Sequence, residues 1–141
     1  MEEITVRHQD QDTFAILIRD HLLWVDQPHA GGDAGPTPLE LLTASLAACA
    51  AHFARRHLKE HGIPDAGLEV GGRFTLATAD AQRVAAIVLD VRPQWALSPT
   101  QREELHEALE NCPVLTSLRA SPRISATITC PDGKPRSAAV A

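Results

Sequence analysis

Tyrosine is missing from this 141-residue chain, and Trp and Phe together supply only 4% of it. That leaves little aromatic surface for stacking nucleic-acid bases and argues against a single-strand or RNA binder. Cations are also outnumbered, with 13 Lys and Arg against 18 Asp and Glu, for a formal net charge of −5. Such a balance offers no basic footprint for nucleic acid or for an anionic membrane surface. Cysteine is sparse, three residues without any CxxC spacing, which excludes a zinc ribbon and a secreted disulfide framework. An odd, scattered set fits a reducing cytosol, where paired thiols are redox-active or simply buried. The most apolar stretch, residues 39–54, is interrupted by Glu40 and His52 and runs into Arg55-Arg56. It is too short and too polar at its flanks to span a bilayer. The acidic opening Met1-Glu2-Glu3 does not read as a secretory signal, so a cytoplasmic location is expected.

Several site motifs are absent as well. Gly31-Gly32 and Gly71-Gly72 lack the spacing of either phosphate-binding fingerprint, and there is no GxSxG for a serine hydrolase. His57 and His61 are placed to share a helical face, yet no carboxylate follows in an HExxH arrangement, and Arg56 and Lys59 add positive charge. No metal and no cofactor is expected, and a solvated helix end accounts for these histidines.

What is present is a hydrophobic share of 44%, enough for one domain with a genuine core. Alternating apolar residues (Ile4 and Val6; Phe14, Ile16 and Ile18; Leu23 and Val25) predict three one-sided strands, followed by a turn-rich loop over 26–36. Thr37, Pro38 and Glu40 form a T-x-x-E capping box with Pro at the first helical position. The helix they open should stop at Gly62, with Pro64 just beyond. Its first half is apolar nearly all round, so it should be enclosed there. Its charged second half (Arg55, Arg56, Lys59, Glu60) should be wet. Two strands over 67–78 and 83–92 follow, then a helix capped by Ser98 and Gln101, a short helix opened by Asn111-Cys112-Pro113, and a strand over 123–130. Residues 1–130 thus read as a single α+β domain, with 131–141 as a loose tail. A helix apolar on most faces needs cover on most faces, and a homodimer would supply it.

Cys49 lies on the helical stripe Leu42, Leu46, Cys49, Phe53. It packs there as a small hydrophobe unless folding brings a cation or donor to it. Cys112, directly before Pro113, falls at the start of a helix. Unpaired N–H groups there favour a thiolate, although a plain capping role is equally open. Cys130 is in phase with Ile124 and Ile128 and is expected to pack in the core.

With two cysteines on two helices, the run Gly35-Pro36-Thr37-Pro38-Leu39-Glu40-Leu41-Leu42 followed by Ala47-Ala48-Cys49 resembles the start of the central helix of the OsmC/Ohr family. Asn111-Cys112-Pro113-Val114 with Ser117-Leu118 resembles that family's second cysteine motif. The resemblance extends to about Cys130. It implies antiparallel sheets around a long buried central helix in an intertwined homodimer, with sites at the subunit interface. It also implies a metal-free organic hydroperoxide reductase that uses a dithiol reductant. Cys49 would become the sulfenic acid and Cys112 would resolve it to a disulfide, a sequence consistent with thiol oxidation chemistry.

One position departs from the pattern. The family's activating Glu directly follows a proline, ten residues before the first cysteine, and here that position is Leu39. Glu40, one residue on, points about 100° away. The activating Arg, which the family takes from its N-terminal strands, has two candidates, Arg7 and Arg19. The departure keeps an alternative in play: an OsmC-like binding or sulfur-handling protein without efficient peroxidase activity. Apolar neighbours (Leu42, Leu46, Phe53, Val114, Leu115) favour a bulky apolar peroxide over hydrogen peroxide.

Overall fold

The computed structural model describes residues 3–29, 31–79, 82–131 and 135–139. Strands β1 (Thr5–Asp10), β2 (Thr13–Ile18) and β3 (His21–Val25) form one antiparallel meander. Its tight turns are made at Gln11 and Arg19, both at positive φ. Helix α1 (Pro38–Glu60) follows, then the antiparallel hairpin β4 (Glu69–Leu76) and β5 (Val84–Arg92). Helices α2 (Pro99–Leu109) and α3 (Pro113–Arg119) come next, and β6 (Ser125–Thr129) pairs antiparallel with β7 (Pro135–Ala139). The α+β expectation holds. The segment expected to be a loose tail supplies β7, because the main-chain groups of β6 need partners and the returning chain offers them. Residues 132–134 and 140–141 of that segment lie outside the described residues.

The ends of α1 form as the sequence dictates. Glu40 N donates to Thr37 Oγ1 (3.2 Å) and Thr37 N donates to Glu40 Oε2 (2.8 Å), closing the capping box. At the other end Gly62 takes φ 68°, Ile63 N donates to Leu58 O (2.9 Å) and Gly62 N donates to Lys59 O (3.2 Å). That pair of bonds is a Schellman stop, and Ile63 packs on the core containing Leu58. Ser98 and Gln101 cap α2 in the same reciprocal way.

Helix α1 is the hub, packed on β4, β5, α2 and α3, while the β1–β3 sheet and the β6–β7 hairpin pair chiefly within themselves. Its buried stripe is Thr43, Leu46, Ala50, Ala54 and Leu58. The charges expected to be wet, Arg55, Arg56, Lys59 and Glu60, are exposed, but within the single chain the first half is not enclosed and the second half is not wet throughout. Ala54 and Leu58 are fully buried against Leu97 and Leu105, whereas Ala44 and Ala48 in the first half are exposed. The charges of the second half sit on the opposite face, so amphipathicity, not position along the helix, decides burial. Each leucine removed from water here contributes roughly 1.5–3 kcal/mol.

The loop before α1 is organised by Asp26, which is 1% exposed. Thr13 Oγ1 (2.9 Å), Gln27 N (2.7 Å) and Ala34 N (2.9 Å) all donate to its carboxylate. Gly31 passes so close that a Cβ would lie 1.9 Å from Asp26 Oδ1, which only glycine allows. Asp26 N also donates to Pro36 O (3.1 Å), and the pinned loop therefore delivers Thr37 to its capping position.

Candidate active site

Cys49 is half-buried in the middle of α1, and Cys112, 1% exposed, is the N-cap of α3. The Cys112 main chain is tied on both sides: its N–H donates to Leu109 O (3.0 Å) and its C=O accepts from Thr116 N (3.0 Å). Its side chain makes no capping hydrogen bond, so the sulfur is left for other partners. Packing of α3 on α1 brings the two cysteines together across 63 residues of chain, with Cα atoms 6.0 Å apart, and they are joined as a disulfide. The separation lies inside the normal disulfide range of about 4.4–6.8 Å. An oxidised sulfur on either cysteine is thus within reach of the other. Cys49 is the more open of the two, and Cys112 the more sheltered.

The corner that presents Cys112 is braced by an ion pair. Arg119 at the end of α3 donates to the Glu110 carboxylate just after α2. The Arg119 hydrogen bond holds the Glu110 carboxyl below its ordinary range, and Glu110 in turn raises the Arg119 guanidinium. Beside this corner opens a cavity of about 690 Å³, walled by Val91, Trp95, Leu105, Leu109 and Leu115, with Arg119 at its polar side. A second cavity of about 480 Å³ lies between α1 and β4, lined by Thr43, Ala47, Ala48, Gly72 and Phe74.

The candidate activating residues stand elsewhere in the single chain. Glu40 is held by its capping bond to Thr37, and nine residues of helix separate it from Cys49, about 13–14 Å along the axis. Arg7 on β1 and Arg19 in the β2–β3 turn are exposed. Among the described residues, the side chain of neither makes a hydrogen bond or ion pair. Folding therefore brings Cys49 and Cys112 together and leaves Glu40, Arg7 and Arg19 apart from them within one chain. Cys130 departs from its expected core position: it is a free, exposed thiol, because the hairpin that carries it is not covered by the rest of the chain.

Sequence spacing missed a second cluster. The rings of His57 and His61 stack with centroids 4.0 Å apart, and Glu104 of α2 joins them, with the ligating atoms all within 4.8 Å of one another. The i, i+4 histidine spacing was legible. The carboxylate was not, because it arrives from a different helix.

A family model described as OsmC-like protein matches residues 31–127. No curated protein matches the chain. Among solved structures, a Psychrobacter arcticus protein named for an osmotic-stress and detoxification response is similar with a TM-score of 0.75 at 21% identity, covering 83% of this chain and 88% of that one. The OsmC-like protein of Mycoplasma pneumoniae has a TM-score of 0.69 at 19% identity, covering 84% and 87%. The organic hydroperoxide resistance protein OhrB of Bacillus subtilis has a TM-score of 0.63 at 24% identity, covering 84% and 90%. At these identities the likeness is one of fold. No helix of the described residues is long and apolar enough to cross a membrane.

Proposed function

We propose, from the premise that this chain belongs to the OsmC-like protein family, that it is a thiol-dependent peroxidase for organic hydroperoxides. The observation that carries this reading is the pairing of Cys49 and Cys112 across α1 and α3, with Cα atoms 6.0 Å apart. In the reduced enzyme the Cys49 thiolate attacks the terminal oxygen of the hydroperoxide. The O–O bond breaks, the alkoxide leaves and takes a proton as the alcohol, and Cys49 becomes a sulfenic acid. The Cys112 thiol, giving up its proton, then attacks the Cys49 sulfur. Water leaves and the disulfide forms. A dithiol reductant reopens it by thiol–disulfide exchange, restoring both thiols. The exposure order supports these roles, with the more open cysteine meeting the oxidant and the sheltered one resolving it.

The working unit in this reading is a homodimer. Val6, Leu22 and Trp24 of the N-terminal sheet and Ile4 just before it are exposed, as are Ala44 and Ala48 of α1. Apolar strands that lie over a second copy account for them. The same docking would carry Arg7 or Arg19 to the partner's thiol, supplying the cation that the single chain does not bring there. The apolar walls of the cavity at the α2–α3 corner, Leu109 and Leu115 among them, favour a bulky apolar peroxide.

The test is intact mass with peptide mapping after one equivalent of an organic hydroperoxide is added to the reduced protein. Quantitative loss of two hydrogens, mapped to a Cys49–Cys112 link, is the expected result, and Cys49→Ser should abolish turnover. Full activity in that variant would refute the assignment.

One observation favours a second reading. The carboxylate of Glu40 is occupied by Thr37 N–H, and Leu39 stands where the family's activating Glu is expected. A binding or sulfur-handling protein would keep the fold and the thiols without needing that carboxylate. Rapid hydroperoxide consumption with a dithiol excludes it.

A further inference from the structure

We propose that His57, His61 and Glu104 form a binding site for one divalent transition-metal ion, zinc fitting best, where the end of α1 packs on α2. The site is independent of the thiol pair, since eight residues of helix place His57 about 12 Å along the axis from Cys49.

Four features converge here. The first is the donor set: two imidazoles and one carboxylate suit zinc, copper or nickel and disfavour magnesium and calcium. Three protein ligands leave the fourth tetrahedral position to water.

The second is tautomer. His61 Nδ1 lies 2.8 Å from His57 O, a carbonyl that can only accept, so Nδ1 carries the hydrogen and Nε2 presents its lone pair. A hydrogen bond from the non-ligating nitrogen to a carbonyl is the usual way a ligand histidine is oriented.

The third is rigidity. Leu58, between the two histidines, and Leu105, next to Glu104, are buried in the same core cluster. The backbones of all three ligands are therefore fixed relative to one another. The ligating atoms already lie within 4.8 Å of one another, zinc bonds of about 2.0–2.2 Å at a tetrahedral angle need them about 3.3–3.6 Å apart, and a turn of the His57 ring with a swing of the exposed Glu104 side chain closes the difference.

The fourth is electrostatics. The site lies at the C-terminal end of α1, where the helix dipole favours a cation. Two neighbouring cations are engaged elsewhere: Arg55 pairs with Asp65 at 2.8 Å, and Arg56 lies 4.5 Å from the centroid of the Phe53 ring. Lys59 is exposed on the same turn, and Glu103 and Glu107 of α2 are exposed nearby in sequence.

The experiment is calorimetric titration of zinc sulfate into the untagged, full-length, disulfide-form protein carrying Cys130→Ser, so that no free thiol competes. One zinc per chain is expected. His61→Ala and Glu104→Gln should each weaken binding by at least about tenfold, as ligand loss should cost no less than loss of an outer-shell partner. Both residues are exposed, and unchanged circular dichroism checks that the variants fold. X-ray absorption of the loaded protein should show two imidazoles and no sulfur. Zinc bound as tightly by either variant, absence of saturable binding in the parent protein, or sulfur ligation would overturn the proposal.

Discussion

Asp26 closes β3 with its carboxylate turned inward, and a hydroxyl and two main-chain N–H groups donate to it. The Ala34 N–H foremost, then the Gln27 N–H and the Thr13 hydroxyl, holds its pKa below the ordinary carboxylate value, against the opposing effect of burial. A folded-state pKa below the unfolded one gives stability that is fully present above the unfolded value and is lost as pH falls through the folded value. Asp26→Asn should therefore lower the urea midpoint near neutral pH, because the amide nitrogen cannot accept from these donors. The two unfolding curves should converge below pH 3.8, the carboxylate's ordinary value. A gap of equal size at pH 7 and at pH 3 would show that the ionised form is not what the loop needs. At the same scale, Cys112 shows how one residue's identity is not its role. Its place before Pro113 fixes an N-cap, but the cap needs no sulfur, and the sulfur goes to Cys49.

Among the elements, α1 shows how a terminus can be encoded locally and still serve the core. Gly62 adopts φ 68° so that the chain can turn back and set Ile63 on the cluster around Leu58. A Cβ at Gly62 would meet nothing within 4 Å, so the cost of replacing it is backbone strain alone. The left-handed conformation costs an L-residue roughly 1–2 kcal/mol, partly offset by a stiffer unfolded chain. Gly62→Ala should thus destabilise by about 1 kcal/mol, read as a lower urea midpoint at unchanged m-value. An alanine variant as stable as the parent would mean the Schellman turn is not under strain. The ion pair of Arg119 with Glu110 joins α3 back to α2 in the same economical way, although it is exposed and screened by solvent.

For the molecule as a whole, the uneven covering of apolar residues is the main clue. The helices and the β4–β5 hairpin share a core, whereas the N-terminal sheet leaves Leu22 and Trp24 on its surface and the C-terminal hairpin leaves Ile128 on its own. Size-exclusion chromatography with light scattering should give twice the chain mass. Leu22→Asp with Trp24→Asp should give the single-chain mass and lose peroxide turnover together. A wild-type protein that runs as a monomer and still turns over hydroperoxide would remove the shared-site reading.

What the sequence determined on its own was local. Thr37, Pro38, Glu40 and Gly62 set the ends of α1, Ser98 and Gln101 set the start of α2, and alternation set the strands, because capping, turn and strand signals act over a few residues. The two cysteine motifs also pointed to the family that the match over 31–127 bears out. Tertiary structure alone decided what depends on separate segments meeting. It turned α1 so that Ala54 and Leu58 became its deepest residues. It buried Asp26 under a loop that reads as ordinary turn sequence. It also carried Glu104 to His57 and His61, a juxtaposition that no spacing along one helix encodes. The physical reason is common to all three. Helix phase, loop burial and ligand sets spanning two helices are fixed by which surfaces exclude water together, and that is a property of the assembled core, not of any short window of chain.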